Sequence, residues 1–293
     1  MSAYRFCRTD DIGLLVDALN RCWAPYFPDQ PLMTPAAFKR AIRDLQVWCS
    51  SCMVAFSGRE PVGVLIGAKR PSATLVHKIA VHPDHRRQGH GRHLLDSLGS
   101  KLAILGPPRI IAEVPETLAP ACGLFSAGGF AQEALLTDYV LQPDPAVRAE
   151  FAPSMRPGDS DAGWVIPITV DDLAANGFLG ETEPPLCWER SVETLTAKKD
   201  EIAGVAVASD ERIEAYVLYV NRDPTPEIVS LRSLIADSGA SLKLLLSRLR
   251  AEGLTTFRYP KVHPAEISTE LLGSLGFRSA AGHVRYAATA CSD

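Results

Sequence analysis

A short basic and glycine-rich segment, residues 86–91 (RRQGHG), constrains the fold more than any other stretch of the chain. Residues 74–81 before it are rich in apolar and β-branched side chains, which predicts a strand that ends at Pro83. After it, leucines recur at helical spacing from Leu94 to Leu102, which predicts a helix. The loop N–H groups and the unpaired N–H groups at the start of that helix predict an anion-binding cradle.

The chemistry of the loop indicates a diphosphate ligand. Gly89 and Gly91 carry no Cβ, so the loop can turn with its N–H groups facing inward, and Arg86, Arg87 and Arg92 add positive charge. A Walker loop is excluded because Gly91 is followed by arginine and not by Lys-Ser or Lys-Thr. A dinucleotide fingerprint is excluded because its third glycine and its acidic residue are missing. The alternative interpretation of these residues is a basic strand-to-helix turn that binds no ligand.

The R-x-x-G-x-G pattern of residues 86–91, preceded by IAVHP at 79–83, resembles the cofactor loop of the GCN5-related N-acetyltransferases (GNAT). Residues 124–130, LFSAGGF, resemble the second conserved block of that family, L-Y-x-x-x-G-F. The resemblance extends over the first half of the chain. It implies an α/β fold with a mixed sheet and acetyl-CoA as the cofactor.

The resemblance also implies which residues bind the cofactor. The backbone of Ile79 and Val81 would pair with the pantetheine arm, and the amide near Ile79 would polarise the thioester carbonyl. The full set implied by the resemblance is Ile79, Ala80, Val81, Arg86, Arg87, Gln88, Gly89, His90, Gly91, Arg92 and Phe125. Two positions depart from the family pattern: Phe125 replaces a tyrosine that acts as general acid, and Leu118 replaces an asparagine that contacts pantetheine.

A protonated amine must lose a proton before it attacks a thioester, so a general base is expected. His77 is the first candidate, because strand alternation predicts that it shares a face with Ile79 and Val81. Arylalkylamine N-acetyltransferases, which are members of the family, carry a histidine at this position. The alternative is a buried histidine that hydrogen-bonds a carbonyl. Glu113, at the end of the next predicted strand, is the second candidate, and its alternative is a solvated carboxylate.

An aromatic loop is predicted to bind the acceptor. Trp23, Tyr26 and Phe27 lie among prolines, at the place where the family builds its acceptor lid. This suits a small, partly apolar amine, and the alternative is packing against the second half of the chain. Tyr139, on the last predicted strand of the first half, is a further candidate for the acceptor channel.

The second half repeats the plan of the first with a poorer match, which predicts an internal duplication. Residues 271–277 resemble the L-x-x-x-x-G-F block, but the arginines of the loop are missing and Asp237 stands in their place. The predicted organisation is a catalytic GNAT domain at 1–143, a proline-rich linker at 144–163 and a degenerate GNAT-like domain at 164–293. The second domain is expected to be structural and to shape the substrate site.

Composition narrows the class of protein further. A chain of 293 residues with a net charge of −4 is expected to form about two domains and to bind neither nucleic acid nor membrane. An odd number of cysteines, seven, and an N-terminus without an apolar signal core predict free thiols and a cytoplasmic location. No metal site is predicted, although four histidines lie between residues 82 and 93. A monomer and a homodimer are both compatible with the sequence.

The sequence therefore predicts an N-acetyltransferase that moves an acetyl group from acetyl-CoA to a primary amine of a small molecule, by direct attack in a ternary complex. Two alternatives remain at this point. One is a non-catalytic acyl-CoA-binding module or sensor, which the substitutions at Phe125 and Leu118 favour. The other is acetylation of a protein or peptide.

Overall fold

The structure, a computed structural model, describes residues 2–143, 164–180, 186–210 and 212–290. The predicted linker, residues 144–163, lies outside the described residues. The chain forms two compact units. The first comprises the described residues up to Ala134 together with those from Val284 onward, and the second spans Leu135–His283. No helix among the described residues is long and apolar enough to cross a membrane.

The first unit alternates strands and helices. In chain order its elements are β1 (Ser2–Phe6), α1 (Ile12–Cys22), α2 (Pro35–Leu45), β2 (Met53–Ser57), β3 (Glu60–Lys69), β4 (Thr74–Val81), α3 (His90–Leu105), β5 (Arg109–Pro115), α4 (Ala119–Ala127) and the start of β6 (Ala131–Leu141). The sheet order is β1-β2-β3-β4-β5. The pairs from β1 to β4 are antiparallel, and β4 and β5 are parallel.

The core of the first unit lies between this sheet and α3. The leucine stripe of α3 is fully buried, as the spacing predicts, and packs against strand residues such as Leu65 and Val76. Burying each such side chain stabilises the fold by about 1.5–3 kcal/mol. The stripe consists of Leu94, Leu95, Leu98 and Leu102. This packing fixes where α3 begins, and hence where its first N–H groups point.

The second unit repeats the order of the first. Its elements are the rest of β6, then β7 (Trp164–Pro167), α5 (Val170–Ala175), α6 (Val192–Ala197), β8 (Ile202–Ala208), β9 (Ile213–Val220), β10 (Glu227–Ser233), α7 (Ala240–Ala251), β11 (Phe257–Val262), α8 (Thr269–Ser274) and the start of β12 (Phe277–Thr289). Its strands follow the order β6-β11-β10-β9-β8-β7. The antiparallel hairpin β8-β9, the antiparallel pair β9-β10 and the parallel pair β10-β11 correspond to β2-β3, β3-β4 and β4-β5.

Glycines with positive φ recur at equivalent places in the two units. Gly89 (φ 84°) precedes α3 and Gly239 (φ 82°) precedes α7, while Gly129 (φ 81°) follows α4 and Gly276 (φ 92°) follows α8. Glycine adopts this left-handed conformation without the steric cost that other residues incur. The predicted fold class, a mixed α/β sheet in two halves that share one plan, is confirmed.

A buried ion pair lies in the second unit. Arg190 is 1% exposed, and its Nη1 and Nη2 atoms donate to Glu266 Oε1 and Oε2 over 2.5 and 2.7 Å. The Tyr259 hydroxyl also donates to Glu266, over 2.6 Å. Burial opposes ionisation of the carboxyl group, but Arg190 outweighs it and lowers the pKa of Glu266. The pair is thus satisfied on both sides.

The compact units differ from the predicted domains at two strands. Leu135–Leu141, the larger part of β6, belongs to the second unit, whereas the end of β12 from Val284 belongs to the first. Boundaries read from sequence follow changes in composition, and neither strand shows such a change. β7, α5 and α6 were not predicted, because the apolar periodicity of these three short elements is too brief to detect.

Candidate functional site

The two central parallel strands of the first unit separate toward their carboxyl ends. β4 and β5 pair at Thr74 with Ile110 and at Leu75 with Ile111, near the start of both strands. Beyond these pairs, β4 remains paired with β3 as far as Val81. The later residues of β4 and β5 line one cavity, so a gap opens between the strands.

The backbone groups of Ile79 and Val81 face this gap. The N–H of His82 donates to the carbonyl of Val62 over 2.9 Å, so the backbone of His82 faces β3. Because successive strand residues direct their backbone groups to opposite edges, Val81 and Ile79 face β5. The Tyr26 hydroxyl donates to the Val81 carbonyl over 2.6 Å, which agrees with a carbonyl that points away from β3. An extended ligand in the gap would pair with the N–H and carbonyl groups of Ile79 as a neighbouring strand does.

A β-bulge interrupts β4 at His77. Ile66 of β3 pairs with Lys78, whereas the next residue, Gly67, pairs with Val76, so His77 is the extra residue on β4. Gly67 is required here, because a Cβ would lie 2.5 Å from the carbonyl oxygen of Ser51. Bulges of this kind redirect side chains next to functional sites.

The bulge corrects one prediction. Strict alternation assigned His77, Ile79 and Val81 to one face of the sheet. In the structure Val76 and Ile79, three positions apart, both pack against the α3 core cluster, so the alternation reverses across the bulge. His77 is half-buried and lines the cavity.

The loop between β4 and α3 forms the anion cradle. Arg87 (φ 61°) and Gly89 (φ 84°) both adopt the left-handed conformation, and α3 begins at His90. The first intrahelical bond runs from His93 N–H to the Gly89 carbonyl over 3.0 Å. The N–H groups of the first turn of an α-helix have no acceptor within the helix, so they are available to an anion.

The two glycines of the cradle serve different purposes. Gly89 has open space around its Cα, and only its positive φ requires glycine. Gly91 has an ordinary backbone, but a Cβ there would lie 3.2 Å from a methyl group of Leu124 on α4. Gly91 therefore allows α4 to approach the start of α3 closely.

Positive charge surrounds the cradle. Arg86, Arg87 and Arg92 all line the cavity and are exposed. Arg86 lies over the ring of Tyr26, with its Cζ 5.7 Å from the ring centroid, and Arg92 is 3.6 Å from Asp96. Exposed guanidinium groups next to unpaired helix N–H groups suit a diphosphate.

His90 differs from the other cradle residues because its side chain is buried, at 3% exposure. Its Nδ1 lies 2.7 Å from the Tyr4 hydroxyl, and its Nε2 is buried without a hydrogen-bond partner among the described residues. Burial, together with the nearby His85 and His93, lowers the pKa of His90. The side chain is therefore neutral at pH 7. Nothing in the sequence indicated Tyr4.

One cavity of about 640 Å³ collects nearly all of the predicted site residues. Its volume is within the range of ligand pockets. The predicted residues that line it are Trp23, Tyr26, Phe27, His77, Ile79, Ala80, Val81, Arg86, Arg87, Gly89, His90, Gly91, Arg92, Glu113 and Phe125. Gln88 belongs to the loop but is exposed and does not line the cavity.

Comparison with known proteins agrees with this arrangement. A model of the acetyltransferase (GNAT) family matches residues 15–130, which contain the cradle, the bulged strand and the aromatic loop. We refer to the matched part of the chain, residues 15–130, as the GNAT domain. No curated protein matches the sequence significantly.

The whole chain is similar in fold to solved GNAT structures. A tandem GNAT protein from the clavulanic acid biosynthesis pathway is 17% identical, with a TM-score of 0.64 and 100% of both chains covered. A GCN5-related N-acetyltransferase from Sphaerobacter thermophilus is 14% identical, with a TM-score of 0.65 and coverage of 98% of this chain and 95% of that one. A third, from Anabaena variabilis, is 11% identical, with a TM-score of 0.62 and coverage of 99% and 73%.

Two titratable side chains line the cavity of the GNAT domain near the strand gap. His77 lies at the bulge, two residues before the gap-facing backbone of Ile79. Glu113 forms an ion pair with Arg285, whose Nη2 is 3.2 Å from Oε1, and both side chains are less than 5% exposed. The guanidinium group fixes Glu113 in place, so its carboxylate is not the solvated strand-end group of the alternative interpretation.

Phe125 is a packing residue of the GNAT domain. It is 2% exposed, stacks on Tyr286 at 5.6 Å and 20°, and meets Phe130 edge-on at 5.2 Å and 81°. It carries no hydroxyl group, so this position supplies no proton donor. Phe125 therefore contributes only its shape to the wall of the cavity.

The aromatic loop of the GNAT domain borders the cavity from the α1 side. Trp23 and Phe27 stack at 4.7 Å and 24°, and the ammonium group of Lys78 lies 4.1 Å from the centre of the Trp23 ring. Lys78 lines the same cavity and was missed, because a lysine in a predicted strand gives no functional signal of its own.

Tyr139 does not lie at the cavity. It belongs to the second unit, is 7% exposed in that unit's core, and its hydroxyl group is 3.1 Å from Thr269 Oγ1. The prediction placed it in the acceptor channel because it lies on the last strand of the first half. β6 begins in the first unit, but its larger part, which includes Tyr139, belongs to the second unit.

The cradle position of the second unit is filled by the chain itself. Asp237 Oδ1 accepts from Gly239 N–H over 2.9 Å, and Oδ2 accepts from Ser241 N–H over 2.7 Å. Burial opposes ionisation, but the hydrogen bonds from Ser241, Gly239 and Ser233 outweigh it and lower the pKa of Asp237. The carboxylate thus takes the place that a phosphate takes at a helix N-terminus. Asp237 thus caps the start of α7.

Proposed function

We propose that the GNAT domain transfers an acetyl group from acetyl-CoA to a primary amine of a small molecule, by direct attack within a ternary complex. The observation that carries this proposal is the alignment of three features along one cavity. These are the anion cradle before α3, the backbone edge of β4 in the strand gap, and His77 at the bulge.

The residues present fit the cofactor. The N–H groups from Arg87 to Arg92 would hold the diphosphate, with Arg86 adding charge. The gap-facing backbone of Ile79 and Val81 would pair with the amides of the pantetheine arm, as an added strand does. When bound, acetyl-CoA supplies an electrophilic thioester carbon and a thiolate leaving group.

The backbone at Ile79 has a role in the chemistry. Its N–H faces the gap and is the donor available to a carbonyl oxygen on which negative charge develops. A preorganised donor of this kind contributes about 3 kcal/mol to stabilising a transition state. The rigid β3-β4 pairing holds this N–H in place, so it need not reorganise during the reaction.

His77 is the proposed general base. An alkylammonium group with a pKa near 10 must lose a proton at pH 7, at a cost of about 4 kcal/mol. A neutral imidazole accepts that proton, directly or through water, and the amine nitrogen then attacks the thioester carbon. The C–S bond would break, the attacking nitrogen would lose its second proton to solvent to give the neutral amide, and the thiolate would take a proton from solvent, because Phe125 offers none.

The acceptor end of the cavity is proposed to be the aromatic loop. Trp23, Tyr26 and Phe27 offer flat apolar surface to a small amine. The second unit is proposed to be structural, because its own cradle is closed by Asp237. A cytoplasmic location stays a prediction, and the six described cysteines are free.

Calorimetry with acetyl-CoA, followed by a free-thiol assay against panels of small amines and peptides, tests the proposal. We expect binding that becomes at least tenfold weaker when Arg86 and Arg87 are both replaced by alanine, and thiol release with at least one small amine. Absence of binding at saturating acetyl-CoA contradicts the proposal. Thiol release with peptides alone points to the protein acetyltransferase instead.

A non-catalytic acyl-CoA sensor is the second candidate, favoured by the packed, hydroxyl-free Phe125. The two candidates differ in turnover and not in affinity. Binding without thiol release over the whole amine panel supports the sensor.

A further inference from the structure

The aromatic loop between α1 and α2 is an organised structure. Residues 24–26 form a short 3-10 helix, and the Trp23 indole donates to Gln30 Oε1 over 3.2 Å. Asn20 closes the loop, since its amide group donates to the Met33 carbonyl over 2.9 Å and accepts from the Met33 N–H over 2.7 Å. These contacts join the two ends of the loop and hold its middle together.

Tyr26 connects this loop to the cofactor side of the cavity at two points. Its hydroxyl donates to the carbonyl of Val81, the last residue of β4, over 2.6 Å. Its ring lies under the guanidinium group of Arg86, 5.7 Å from Cζ, at the entrance of the cradle. Tyr26 is itself 37% exposed, so these contacts and not burial hold it.

We propose that Tyr26 is a positioning residue that couples the two binding sites of the GNAT domain. This rests on the proposed function, because it takes the cradle as the cofactor site. An anion in the cradle restrains Arg86, and Arg86 with the Val81 carbonyl restrains Tyr26. The restraint passes to the loop that carries Trp23 and Phe27, so cofactor binding orders the acceptor site.

The coupling requires that some contacts differ between the CoA-bound and the free protein. A ligand shifts an equilibrium only through contacts that differ between those states. Here the contacts that differ are the two that Tyr26 makes, since a diphosphate would hold the guanidinium group of Arg86 over the ring, and the ring would then keep its hydroxyl group at the Val81 carbonyl. The same coupling makes the acceptor-side loop affect cofactor affinity by an equal factor.

Hydrogen exchange followed by mass spectrometry tests this, with the full chain and CoA as the probe. In the unaltered protein, CoA should slow exchange in peptides covering residues 86–92 and also in those covering residues 23–33. In Tyr26→Phe, the ring stays and the bond to Val81 is lost. The slowing at 86–92 should remain, the slowing at 23–33 should fall at least twofold, and CoA affinity should fall about threefold.

Tyr216→Phe is the matched control, because its hydroxyl pairs with Ser230 Oγ at 3.4 Å within the second unit. It should leave both responses to CoA unchanged. If Tyr26→Phe keeps the full response at 23–33, the coupling is wrong and the proposed function stands. If CoA slows exchange at neither segment in the unaltered protein, the proposed function itself fails.

Discussion

At the scale of single residues, position in the backbone decides what the side chains of the cavity can do. His77 owes its place to a bulge in β4 opposite Ile66 and Gly67, and not to strand alternation. Glu113, the other candidate base, is held by Arg285. We therefore assign the proton transfer to His77, which lines the cavity two residues before Ile79.

Replacing His77 by alanine should lower turnover about 100-fold, the usual effect of removing a general base. CoA affinity should change less than twofold, because the cradle is separate from the imidazole. Steady-state thiol release and calorimetry measure the two quantities. His93→Gln, an exposed histidine of α3 outside the cavity lining, is the control and should keep full turnover. Unchanged turnover in His77→Ala would remove it from the mechanism.

His90 gives a prediction for stability. Its pKa is lowered in the folded protein, by burial first and by His85 and His93 next. Below the unfolded pKa of about 6.5, the unfolded chain therefore binds a proton that the folded chain does not, and stability falls as the pH falls. Above that pH the residue contributes nothing to the pH dependence.

The variant His90→Leu should lose less thermal stability than the unaltered protein between pH 7.5 and pH 5. Loss of the Tyr4 contact shifts the whole curve of the variant, so the slopes and not the absolute values are compared. Differential scanning fluorimetry across that range measures both slopes. Parallel curves would show that His90 does not titrate differently on folding.

At the scale of elements, most of the strand-loop-helix unit was predictable, because each signal is local. Residues 74–81 and the α3 stripe follow from periodicity, and the loop follows from its glycines and arginines. The bulge at His77 was not, because it lies in the pairing of β4 with Ile66 and Gly67 of β3, and no pattern within residues 74–81 marks it. Tyr139 was misplaced for a similar reason, since its partners Tyr259 and Thr269 lie more than a hundred positions further along the chain.

Two glycines of one loop-helix element allow a matched test of backbone strain. Both Gly89 and Gly99 have open space where a Cβ would lie, but only Gly89 has a positive φ. Gly89→Ala should therefore cost about 1–2 kcal/mol of stability and weaken CoA binding. Gly99→Ala, inside α3, should stabilise the protein by up to about 1 kcal/mol and leave binding unchanged. Urea unfolding and calorimetry measure these effects, and a loss of equal size in both variants would point to crowding instead.

At the scale of the whole molecule, the two units share a plan but only one keeps an open cradle. The first presents arginines and unpaired helix N–H groups to a cavity. In the second unit, the equivalent N–H groups donate to the carboxylate of Asp237. An internal anion satisfies the helix N-terminus permanently, which stabilises the unit and removes its ligand site at once.

The chain should therefore bind one CoA, and calorimetry should give a stoichiometry near one. Replacing both Arg86 and Arg87 by alanine should weaken that binding at least tenfold, since each charge-assisted contact contributes about 1.5–3 kcal/mol. Asp237→Ala should cost about 1 kcal/mol of stability through loss of the α7 cap and leave affinity and stoichiometry unchanged. A stoichiometry of two, or CoA binding that depends on Asp237 and not on Arg86, would assign the cofactor to the second unit. The arginine variant should change CoA affinity and the Asp237 variant should change stability. Both follow from one difference, because the helix N–H groups of the first unit are open to an external anion, whereas those of the second unit already bind the carboxylate of Asp237.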